Sequence, residues 1–217
     1  MDIIPASTTC PGHSQAEIDT LVDHICAVYK RFYVSQLATL NANWPEALPI
    51  TIIEEGDEEP LDQLSYYDLG PAFSSWTLPP YPLLGTGAYR VAIGLCDDHA
   101  LKVNPGAINH NAFEAATWSS LPDHLRSIFV PVLAVAPGPE PSWLIAQRAQ
   151  PLLRTPDNDY LAQQIDELLN GIEDIGTHQL GRLHGALVLL DYGHDASDLS
   201  ALSRQFPDPS APLSLFG

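Results

Sequence analysis

The stretch "YPLLGTGAYRVAIGLCDDHALKV", residues 81–103, constrains the fold more than any other part of this chain. It holds three short apolar runs, separated first by the Gly85/Gly87 turn and then by Asp97-Asp98. Gly and Asp are turn residues, and links this short can only reverse the chain, because a parallel crossover needs a dozen or more residues. The segment therefore reads as a strand, a glycine turn, a returning strand and a hairpin partner that carries Lys102. An antiparallel sheet is expected here.

A second hairpin is legible in "LGRLHGALVLLDYG", residues 180–193, with its turn at His184-Gly185. Its second strand runs straight into Asp191-Tyr192-Gly193. Asp and Gly commonly end a strand at a turn; alternatively, a rigid strand holds Asp191 out towards a cation. Between the two hairpins, "NHNAFEAATWSSL" has helical spacing, with Phe113, Ala116 and Trp118 as the apolar positions and Glu114 as the one acid. "FVPVLAVAPGPEPSWLIAQRA" gives two strands about a Pro/Gly-rich turn, and "TPDNDYLAQQIDELLNGIED" a helix with Asp/Asn caps. Upstream, Ser14 and Glu17 form a capping box that predicts a helix from Ser14 to Phe32, with a second short one to Leu40. Residues 43–82 are proline-rich, contain the acidic run "EEGDEEP" and read as loop with short extended pieces.

The charge balance limits function. Acids outnumber bases 27 to 9, a net charge of −18, so non-specific binding to nucleic acid or to an anionic membrane is not expected. A basic partner protein, or mimicry of nucleic acid, remains open. Cys10, Cys26 and Cys96 form no C-x-x-C pair, which fits a reducing, cytoplasmic setting and no zinc knuckle. No apolar run approaches the ~20 residues that span a bilayer. Only Lys30 and Lys102 are lysines, and Lys102 stands among Ala100, Leu101 and Val103. It is either a lysine snorkelling from a strand edge or a buried cation with work to do.

In order, the chain offers "LGTGAYRVA", "ALKV", a helix with Glu114, two strands, a helix, and "EDIGTHQLGRLHGALVLLDYG". This order resembles the protein-kinase fold over about residues 81–195, and within it the small early Ser/Thr protein kinases of short-tailed lytic bacteriophages. The resemblance implies an α+β, minimal two-lobed kinase-like fold. A helical extension with an acidic Pro-rich loop would span residues 1–80. An antiparallel N-lobe would span 81–150 and a strongly reduced C-lobe 151–217. It implies ATP and magnesium as cofactors, with Gly85 and Gly87 over the phosphates and the backbone from Gln147 to Ala149 against the adenine. Lys102 would grip phosphates, anchored by Glu114. Asp174 would be the catalytic base, Asp191 the principal metal ligand and Gln179 a second. The implied targets are Ser/Thr residues of host proteins, including the transcription machinery, in the host cytoplasm.

The sequence also departs from that pattern. Arg90 replaces the third glycine, Ile172-Glu173 stand where His-Arg is usual, and Gln179 replaces an Asn. With 24 residues after Gly193, an Ala-Pro-Glu segment and a large helical substrate platform are not both expected. A pseudokinase that sequesters a host protein and an acidic nucleic-acid mimic are the alternatives.

Overall fold

The structure, a computed structural model, describes residues 12–43, 69–87, 89–106, 110–169 and 175–192. The acidic block Glu54–Glu59, Asp174 and the tail lie outside them. The capping box forms as expected, with the Ser14 N–H donating to Glu17 Oε2 at 2.7 Å and the Glu17 N–H reaching Ser14 Oγ at 3.3 Å. From it α1 runs unbroken over Gln15–Asn43, where two helices parted near Phe32 were expected. No Gly or Pro interrupts that span. The first breaker is Pro45, which disfavours helix at the residue before it. Ile18, Leu21, Val22 and Ile25 form the buried stripe of α1 at i, i+3, i+4 and i+7. A single-turn helix, α2 (Gly70–Phe73), adds Phe73 to the same core.

Five strands follow in one antiparallel sheet: β1 (Leu83–Thr86), β2 (Val91–Gly94), β3 (His99–Val103), β4 (Val132–Val135) and β5 (Trp143–Gln147). Their order is β1-β2-β3-β5-β4. The chain thus leaves β3, passes through α3 (His110–Ser120) to the far edge at β4, and returns by a hairpin to fill the gap with β5. Side chains alternate across a strand. Leu101 and Val103 of β3 join Val91, Ile93, Trp143 and Ile145 in the core shared with α1 and α2. Lys102, between them, is therefore turned to the opposite face, paired in register with Ala92 and Leu144.

A second core gathers Ile165 of α4 (Pro156–Leu168) with Leu180, Leu187, Val188 and Leu189. The latter belong to the hairpin β7 (Leu180–Leu183) and β8 (Ala186–Leu189), to which β6 (Gln150–Pro151) adds a third strand. At the turn, His184 and Gly185 both have positive φ (52° and 89°), the geometry of a type I′ turn that matches strand twist. The Val130 N–H donates to the Leu189 carbonyl at 2.9 Å, which ties the end of β8 to the chain just before β4. The fold is mixed α+β with an antiparallel sheet, as the sequence implied. No helix among the described residues is long and apolar enough to cross a membrane.

Candidate functional site

Helix α3 buries only part of its apolar pattern: Trp118 packs against the second core, but the fully buried positions are polar. Phe113 is 46% exposed, whereas Asn111, Glu114 and Thr117 are buried. These three polar residues at i, i+3 and i+6 make one stripe along the helix. Hydrogen bonds explain why two of them turn inward: the Asn111 amide donates to the Ser142 carbonyl at 3.0 Å, and Glu114 receives two cations. A buried polar group is tolerable when such partners are present.

The site assembles around Glu114. Lys102 Nζ lies 2.6 Å from Glu114 Oε1 and 2.9 Å from Oε2, and it also donates to the Leu190 carbonyl at 2.5 Å. The Lys102–Glu114 contact implied by the sequence resemblance is therefore present. Arg90, just ahead of β2, adds what the sequence reading missed. Its Nη1 sits 2.5 Å from Glu114 Oε2, while its Nη2 donates to Asp191 Oδ1. Two cations and two carboxylates from four separate stretches of the chain thus form one series, Lys102–Glu114–Arg90–Asp191. Glu114 is fully buried, Arg90 and Lys102 nearly so, and Asp191 is half-exposed at the open end. Beside it, Tyr192 is buried, and its hydroxyl donates to the Val130 carbonyl at 2.6 Å. With the Val130–Leu189 bond, this fixes the backbone from which Asp191 projects.

Burial governs the electrostatics. It pulls the Lys102 ammonium down to about 8; the Glu114 charge restores part of the loss and the Arg90 charge opposes it. For Glu114, burial pushes the carboxyl up, but the charges and hydrogen bonds of Lys102 and Arg90 outweigh it and hold the group below its usual range. Glu114 is ionised, and Lys102 is a cation poised near neutrality. Tyr192 moves well above its ordinary value, first through burial and then through the Glu114 charge.

The remaining expected residues fall as follows. Gly85 is the one exposed residue of β1, and Gly87 closes a turn in which its N–H donates to the Arg90 carbonyl at 2.9 Å. A Cβ built on Gly85 would meet nothing within 4 Å, and neither glycine has positive φ. Neither packing nor backbone strain demands glycine there, which leaves room for a group lying against the backbone. Gln147 and Ala149 line a cavity of about 350 Å³ together with Leu84, Asp98 and Arg182. The Gln147 and Arg148 N–H groups are taken by Pro131 and Asp98 carbonyls. Gln179 is buried, and its Oε1 accepts the Gly176 N–H at 2.7 Å, so that oxygen closes a turn.

A magnesium ion needs oxygen ligands at near-octahedral geometry, and typically takes one or two carboxylates with substrate phosphates completing the shell. Among the described residues no three His, Cys, Asp or Glu side chains converge on a common point. Asp191, half-exposed just past the end of β8 with its Oδ1 bonded to Arg90, is the one carboxylate of the cluster open to an ion that arrives with a phosphate. Comparison of the chain with family models, with characterised proteins and with solved structures finds no match.

Proposed function

We propose that this chain is a small ATP- and magnesium-dependent Ser/Thr protein kinase of two-lobed, kinase-like fold with a reduced second lobe. One observation carries the reading: a lysine from the third strand of an antiparallel sheet is buried against a glutamate of the following helix, with the Asp191 carboxylate one guanidinium away. A surface lysine would not be desolvated and paired in this way, since exposed pairs gain little. Supporting it are the strand order with α3 inserted between β3 and β4, the open glycine turn, and the β7–β8 hairpin that presents Asp191. Magnesium would neutralise phosphate charge during transfer to a hydroxyl. Lys102 would hold the phosphates, with Glu114 fixing its direction, and Asp191 would hold the ion. Gln147 and Ala149 would border the base, and Asp174 would take the hydroxyl proton. A basic host protein fits the acid excess of the chain.

The test is thermal unfolding with and without magnesium-ATP, followed by incubation with labelled ATP and a lysate. The unaltered protein should show a raised Tm, lost in Asp191→Asn, together with transfer of label. No rise in the unaltered protein refutes nucleotide binding. The second reading, a pseudokinase that binds its partner without phosphoryl transfer, is favoured by two contacts. Arg90 already neutralises Asp191, and the Gln179 amide oxygen is engaged by Gly176. A raised Tm without labelled product would decide for it.

A further inference from the structure

We propose that Arg90 is the resident counter-cation of Asp191, and that a divalent cation takes Asp191 Oδ1 by exchanging with the guanidinium. The inference rests on the reading of Asp191 as a metal ligand. Its two edges do different work. Nη1 is committed to Glu114, which is fully buried and shared with Lys102, while Nη2 is bonded to the half-exposed Asp191. The Glu114 edge is the stronger hold, because a buried charge left unpaired is far costlier than one that water can reach. Exchange at Asp191 therefore releases Nη2 and leaves Nη1 in place.

The released edge would be a nearly buried donor without a partner, which is unfavourable unless an anionic oxygen takes it. Phosphate supplies such oxygens, and guanidinium forks match them well. The backbone carbonyl of Arg90 also accepts the Gly87 N–H, so the guanidinium hangs from the same turn that leaves room for a ligand. A lone cation gains only Asp191 and displaces a good partner. A cation arriving with phosphate satisfies both sides of the exchange. Arg90 thereby makes the site selective for the pair over the free ion.

The experiment measures binding of Mn²⁺ alone, by electron paramagnetic resonance, to the full chain and to Arg90→Met, each with and without Asp191→Asn. Removing Arg90 leaves Glu114 paired with Lys102 and leaves Asp191 hydrated, so the variant should fold. Expected are weak binding by the unaltered chain and binding about tenfold tighter in Arg90→Met, lost again when Asp191→Asn is added. Arg90→Lys, whose single ammonium cannot span both carboxylates, should fall between them. Equal or weaker binding in Arg90→Met, with Asp191 still required, overturns the exchange but leaves Asp191 a metal ligand. Binding that ignores Asp191→Asn in both backgrounds removes the metal reading and the exchange with it. Should Arg90→Met fail to fold, the nitrogen NMR signals of Arg90 in the unaltered protein decide. Restrained Nη signals should loosen as Mg²⁺ is raised to saturation, and signals unchanged at saturation overturn the proposal.

Discussion

Glu114→Gln is the most informative single change, because it keeps the shape of the side chain while removing the charge that two nearly buried cations share. Lys102 and Arg90, 12% and 8% exposed, would then be left with only the half-exposed Asp191 between them. Removing one partner of a buried pair typically costs about 3–5 kcal/mol. The two cations respond differently. Arg90 stays charged at any working pH. Lys102 can give up its proton: its pKa is already about 8, and loss of the carboxylate takes it lower. That escape limits the lysine's share at pH 7 to roughly 1 kcal/mol, the value of a single pH unit. The expected total is at the low end of the range, about 3 kcal/mol at pH 7. The pH dependence has a definite sign. Between the variant's lowered pKa and about 8, its native state binds one proton fewer than the native unaltered protein. The gap in stability should therefore narrow as pH rises towards 8, by roughly 1 kcal/mol per unit, and stay constant above it, where both lysines are neutral. Urea unfolding at pH 6, 7, 8 and 9, followed by the fluorescence of the four tryptophans, the buried Trp143 among them, measures this. A gap below about 1 kcal/mol at pH 7, or one unchanged from pH 6 to 9, would refute the shared-carboxylate account.

Lys102→Met leaves Glu114 paired with Arg90, and it should abolish a rise in stability that the unaltered protein shows above about pH 8, where native Lys102 is neutral and the unfolded chain is still protonated; parallel curves from pH 7 to 9.5 would contradict it. Tyr192→Phe orphans the buried Val130 carbonyl and should cost about 1–3 kcal/mol by urea unfolding, so a loss under half of the lower figure would mean that the hydroxyl anchors nothing. Ile25→Ala, at a fully buried position of α1, should cost about 2–5 kcal/mol in one cooperative transition. A separate early transition would show that α1 melts apart from the sheet.

Local rules made the elements legible, whereas the site depends on contacts that no local rule encodes. The capping box at Ser14, the type I′ turn at His184-Gly185 and the hairpins around Lys102 are each fixed by neighbours a few residues apart, and these the sequence displays. For helix α3 the apolar spacing marked a helix, and only the resemblance turned Glu114 inward, towards Lys102. Its fully buried positions are polar, and they are selected by Lys102, Arg90 and the Ser142 carbonyl, 12, 24 and 31 residues from their partners on the helix. A polar stripe at i, i+3 and i+6 with an isolated acid could have disclosed it. Arg90 was hidden for a stronger reason. As the residue standing where a third glycine is usual, it reads as a gap in a motif, and its partners lie 24 and 101 residues away. Yet its placement answers why a strand of aliphatics should end on Asp191. The carboxylate is not a free turn residue, because a guanidinium anchored to a buried glutamate holds it. What replaces that guanidinium decides whether the four-residue chain is a lock within the fold or the seat of a ligand.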